Sequence, residues 1–98
     1  MNVVSKKSYG QYSSENYGNH TQVISIGALE FYFSYDTIVA FNDENGNLVV
    51  TENVWGSTTG KHLNWINPNK TDRLKHSDFQ EKLIACLRRH NLKLEQWN

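Results

Sequence analysis

The run from Leu29 to Phe41 constrains this chain more than any other stretch. Leu29, Phe31, Phe33 and Tyr35 alternate with Glu30, Tyr32 and Ser34, the pattern of a strand with one buried face. Ile38-Val39-Ala40-Phe41 is then apolar at every position, which suits a central strand covered on both sides. Asp36-Thr37 bends this run or breaks it into two. A chain of 98 residues has room for one core, so everything else must pack around this segment.

The flanking sequence supplies the remaining elements. Residues 1–19 are polar, with Tyr9, Tyr12 and Tyr17 set among Gly, Ser, Gln and Asn, and read as an arm or an edge strand. His20 to Ile26 reads as a short strand and Gly27-Ala28 as a turn. Asn42 to Asn47 forms a hairpin loop in which Asn45-Gly46 supplies positive φ angles. Leu48 to Asn53 returns antiparallel.

Two helices follow. Ser57, Thr58 and Thr59 read as helix caps and turn-formers. The segment 57–67 contains a short helix over about 58–66, closed by Pro68. Ser77-Asp78-Phe79-Gln80 matches a capping box, and Phe79, Leu83, Leu87 and His90 fall on one arc of the helix behind it. That predicts a longer C-terminal helix over about 78–90 within residues 77–91, with Leu92, Leu94 and Trp97 as a tail. The fold class is α+β: one domain over 1–98, an antiparallel sheet of four to five strands centred on 20–53, and the longer helix packed on one sheet face.

Charge is neutral overall but unevenly spread. Residues 1–59 hold two lysines against six acids, and residues 60–94 hold eight bases against three acids. Such asymmetry points weakly to a partner, and equally to two halves that pack together. The single cysteine, Cys86, excludes an intramolecular disulfide. The first residues lack a signal-like apolar run, so the expected location is the cytoplasm, with no membrane partner.

Several constellations invite chemistry and mostly fail on spacing. Gly56-Ser57-Thr58-Thr59-Gly60-Lys61-His62 has one spacer residue too few for a phosphate-binding loop and His62 where a hydroxyl is needed, which rejects nucleotide hydrolysis. An anion site at that helix start survives, with Thr58, Thr59, Lys61, Lys70, Arg73 and Lys75 as its contacts. Cys86 and His90 stand at i, i+4, but a metal site would need two more ligands. Enzyme is the weakest class, and no cofactor is implied. The Tyr-rich arm with Trp65, Lys70, Arg73 and Lys75 could stack bases and neutralise phosphates, although residues 8–60 hold no Lys or Arg and Trp65 beside Leu63 and Ile66 reads first as core.

Ser34-Tyr35-Asp36-Thr37-Ile38-Val39-Ala40, followed by a hairpin and then Ser57-Thr58-Thr59-Gly60-Lys61-His62-Leu63-Asn64, resembles a family of small phage and prophage proteins. Those carry S-Y-x-T-x-V-A and [ST]-x-T-T-x-[KR]-H-[IL]-N, against which this chain has one spacer residue fewer. The likeness covers about residues 30–66 and transfers no catalytic residue. It implies an accessory protein of a phage or mobile element. The leading expectation is therefore a non-enzymatic inhibitor that binds a host defence protein, with a CRISPR-associated nuclease or complex as the best candidate. Glu30, Asp43, Glu44, Tyr32, Tyr12 and Tyr17 would form its contact face, with Asp43 and Glu44 projecting furthest. A small nucleic-acid-binding regulator is the alternative.

Overall fold

A computed structural model describes residues 4–8 and 21–92, with side chains over 21–92. Tyr12, Tyr17, Leu94 and Trp97 lie outside the described residues. Five strands form one antiparallel meander in chain order: β1 (Val4–Ser8), β2 (Thr21–Ile26), β3 (Leu29–Ser34), β4 (Thr37–Asn42) and β5 (Leu48–Val50). Helix α1 (Ser57–Ile66), a single 3-10 turn at Lys70–Asp72 and helix α2 (His76–Arg89) complete the order. Part of the N-terminal segment is thus an edge strand, with Val4 opposite Ile26 and Ser8 opposite Gln22.

The long apolar run is a hairpin. β3 turns into β4 at Tyr35-Asp36, where Tyr35 takes a left-handed conformation at φ 57°. The break thus falls where Asp36-Thr37 was expected to interrupt the run, although a left-handed conformation usually falls to Gly or Asn rather than to Tyr. Gly27, at φ 57°, makes the corresponding turn between β2 and β3.

The register shifts within the hairpin, since Tyr32 pairs with Ala40 but Phe33 with Ile38. Val39 is the extra residue of a bulge. Ile38 and Phe41 therefore join one core cluster while Val39 and Ala40 join another, which corrects the expectation of a single core and explains a run apolar on both sides. On the first face, Ile24, Ile26, Leu29, Phe31, Phe33 and Phe41 meet Phe79, Leu83, Cys86 and Leu87 of α2. On the other, Val39, Ala40 and Val50 meet Leu63 of α1, with Tyr32 and Ile66 packed against them. One helix covers each face of the sheet.

The helix ends correct several expectations. The Ser77–Gln80 capping box does not form: α2 starts at His76, its N-cap residue is Lys75, and no side chain of that residue caps it. The donor at the helix start goes to Glu52 instead, whose Oε2 accepts the His76 N–H at 2.9 Å. Ser57, Thr58 and Thr59 do not cap α1 either, because Gly56 is its N-cap and makes no side-chain bond. Of Asn45 and Gly46, only Gly46 has a positive φ.

The far end of α2 closes as a Schellman motif. Leu92 N–H donates to the Leu87 carbonyl, Asn91 N–H donates to that of Arg88, and Asn91 adopts the left-handed conformation at φ 55°. Leu92 packs on the core as the tail reading required.

Candidate nucleic-acid interface

The site is built where β5 runs on into the helical half. Beyond β5, Thr51 forms a parallel bridge with Leu74: Leu74 N–H donates to the Val50 carbonyl and Glu52 N–H to that of Leu74. This ties the return segment after α1 to the sheet. A bridged segment on one side and α1 on the other leave a cleft of about 580 Å³ between them. Lys61, Lys70, Arg73 and Lys75 line it, together with Ser57, Gly60 and Asn64 of α1 and Glu52 and Asn53 of the preceding loop.

On α1 the lining residues Ser57, Gly60, Lys61 and Asn64 recur at helical spacing, so a single face of the helix forms one wall. Gly60 suits that wall because a Cβ there would meet Asn53 Nδ2 at 3.1 Å. Asn53 is itself fixed: its amide donates to the Gly56 carbonyl and its Oδ1 accepts the Trp55 N–H.

The opposite wall is held by asparagines. Asn67 Oδ1 accepts the Asn69 N–H, and Asn69 Oδ1 accepts both the N–H and the hydroxyl of Thr71. These local side-chain turns set the conformation around Lys70 without any contact to the core. The Arg73 guanidinium is clamped to the end of α1, where one nitrogen donates to Asn64 Oδ1 at 3.0 Å and to the Asn67 carbonyl at 3.1 Å. Its Nε is buried and has no hydrogen-bond partner among the described residues. A guanidinium so placed is positioned in advance for an anion.

Four cations thus share one cleft with one carboxylate, and that carboxylate, Glu52, is engaged at the start of α2. Among the described residues the cleft lining therefore carries more positive than negative charge. Two exposed indoles follow lining residues closely in the chain. Trp55 follows the Asn53 loop, is 40% exposed, and sets its ring edge-on to His76 at 5.1 Å. Trp65 is 50% exposed and stands one turn from Lys61, which corrects its reading as core.

The six proposed anion contacts therefore divide. Lys61, Lys70, Arg73 and Lys75 converge in the cleft, whereas Thr58 and Thr59 do not line it. Thr59 turns inward: it is buried, and its hydroxyl lies 3.0 Å from Ser34 Oγ, which also meets Nδ1 of the buried His62 at 2.7 Å. Ser34 has one proton, so donating to one partner obliges it to accept from the other. Of the hydroxyl triplet, Thr59 serves the fold and Ser57 lines the cleft. Glu52, Asn53, Ser57, Gly60 and Asn64 were missed because their membership depends on the bridge at Leu74, which no local pattern announces.

Among the described residues of the expected contact face, the acids make contacts within the fold. Asp43 accepts the N–H groups of Asn45 and Asn47, each at 2.9 Å, and the Asn47 amide. Its carboxyl is held below its ordinary value, chiefly by the Asn47 backbone. Glu44, expected to project, folds back onto α2, where its oxygens lie 3.2 Å from Arg89 Nε and 3.1 Å from His90 Nε2. Its carboxyl is lowered to about 2 by its own backbone N–H first, then by His90 and Arg89. Glu30 accepts the Asn42 amide at 2.9 Å. Tyr32 is half-buried against the α1 face, and burial, then Glu30, raises its phenol above the ordinary value.

Sheet, helices and cleft together define a small α+β protein with a preformed basic groove. The chain belongs to DUF8033, a family of unknown function whose model matches residues 4–81. Every residue lining the cleft falls within that span. No curated protein and no solved structure matches the chain. Among the described residues, no helix is long and apolar enough to cross a membrane.

Proposed function

We propose that this protein binds single-stranded nucleic acid, gripping the sugar–phosphate backbone in the basic cleft and stacking bases on the indoles near it. The observation that carries the reading is the convergence of Lys61, Lys70, Arg73 and Lys75 in one cleft whose walls are already fixed. Cationic grooves beside exposed aromatic rings are the general solution for single strands, because phosphates supply affinity and every base offers a π-face. A groove of about 580 Å³ has the size of a ligand site for a few nucleotide units rather than a long duplex face.

The phage context implied by the sequence resemblance accommodates such a role, as a regulator or as a factor that meets host defence machinery through a shared nucleic acid. Direct docking of a host protein on the acidic hairpin ranks lower, because Asp43 and Glu44 are occupied within the fold. Mapping a short oligonucleotide onto the protein by amide chemical shifts tests the proposal. Perturbations should cluster at residues 53–75. Perturbations confined to the hairpin at residues 42–48, or none at low salt, would overturn it.

A further inference from the structure

The structure joins Cys86 of α2 and His90, the residue that caps the end of that helix, to one residue of the hairpin loop. Cys86 and His90 lie one turn apart, and Glu44 comes over them from the loop between β4 and β5. One donor atom from each, a sulfur, an imidazole nitrogen and a carboxylate oxygen, all lie within 4.8 Å of one another. The sequence offered only the i, i+4 pair. The fold adds a third ligand from more than forty positions away.

We propose that Glu44, Cys86 and His90 form a site for a divalent ion of zinc type, three protein ligands with a fourth position left to water. Sulfur, nitrogen and oxygen together select a borderline ion over calcium or magnesium, which take oxygen ligands. At zinc bond lengths of about 2.0–2.3 Å, tetrahedral ligand atoms stand roughly 3.3–3.7 Å apart, so the cluster needs to contract by only about an ångström. Cys86 lies buried beneath the other two, while Glu44 and His90 are each 34% exposed and leave a path for the ion.

The charge and proton balance is simple. Cys86 gives up its thiol proton to solvent, His90 binds as neutral imidazole, and thiolate plus carboxylate neutralise the dication. Arg89, which now pairs with Glu44 at 3.2 Å and is half exposed, is released to water. Arg89 is thus a competitor of the metal. Occupancy would fasten the hairpin to α2 by coordination in place of an ion pair, making the rigidity of this corner depend on zinc supply.

The test uses the full chain, kept reduced, with zinc followed by thermal unfolding and cobalt(II) by absorption. The melting temperature should rise with zinc, and cobalt should produce a thiolate-to-metal charge-transfer band. His90→Gln and Glu44→Gln, which alter partly exposed positions and should fold, should each lose the zinc-induced rise. Arg89→Ala should tighten metal binding about two- to fivefold, the release of an exposed ion pair. A cluster with a purely structural role would show no such gain. Absence of the charge-transfer band, its persistence in His90→Gln, or weaker binding in Arg89→Ala would each overturn the proposal.

Discussion

The Glu52 carboxylate accepts the backbone N–H of His76 at 2.9 Å, so a residue just beyond the last strand also opens the last helix. Thr51 reinforces the junction. Its hydroxyl donates to the Glu52 carbonyl and therefore accepts from His76 Nδ1 at 3.0 Å, which fixes the proton on that nitrogen. The same Glu52 is the carboxylate that lines the basic cleft.

Two opposite effects are expected from Glu52→Ala. Loss of the helix-opening acceptor should cost about 0.5–2 kcal/mol, read from urea denaturation. Affinity for an oligonucleotide should rise, because the cleft loses its one opposing charge. A variant that is less stable and also binds more weakly would argue against the cleft.

Ser34→Ala removes the hydroxyl that both His62 Nδ1 and the Thr59 hydroxyl meet. The expected cost is about 1–3 kcal/mol for the two buried hydrogen bonds lost. Thermal unfolding measures it, and a shift of less than a degree would show that the contact contributes nothing to folding.

How much of this could be read from the chain depends on how local each feature is. The strand at Thr21–Ile26, the Gly27 turn, the hairpin loop and the α2 arc were legible, since alternation, glycine and helical spacing act over a few residues. The break in the long run was legible at Asp36-Thr37, but the left-handed residue that makes the turn, Tyr35, was not, because an aromatic side chain there leaves no compositional trace. Capping box and hydroxyl caps were misread because an acceptor 24 positions away took the first role and the interior took Thr59. Four of the cleft cations were identifiable as a basic group. Their convergence was not, since it rests on the bridge between Thr51 and Leu74. Asn53, Asn67 and Asn69 hold the cleft walls through short side-chain turns, a role that their composition alone does not announce.

Acid should loosen the corner between the hairpin and α2. Glu44 is lowered in the folded state from 4.5 to about 2, so the unfolded chain binds its proton more tightly. Its contribution is complete above about pH 4.5 and is lost as pH falls toward 2. Glu44→Gln should therefore flatten the fall in melting temperature across that window, while an unchanged acid limb would show that the contact is spent on solvent.

Leu83 and Leu87 lie buried against the first sheet face. Truncating either to alanine should cost about 2–5 kcal/mol, a large part of what a domain this small possesses. Ile84→Ala, on the exposed side of α2, should change stability by less than about 0.5 kcal/mol. Equal effects at the three positions in chemical denaturation would refute the assigned helix face.

The central claim is that four cations in one cleft bind a single strand, and its salt dependence tests this most directly. Each phosphate contact to a single strand contributes a slope of about −0.7 in log K against log salt. Fluorescence anisotropy with a short labelled oligonucleotide should thus give a slope of about −3 for the full set of contacts. Lys70→Ala with Lys75→Ala removes two exposed cleft cations and should bring the slope to about −1.4 with the fold intact. A slope near zero in the parent chain, or an unchanged slope in a folded double variant, would contradict the account.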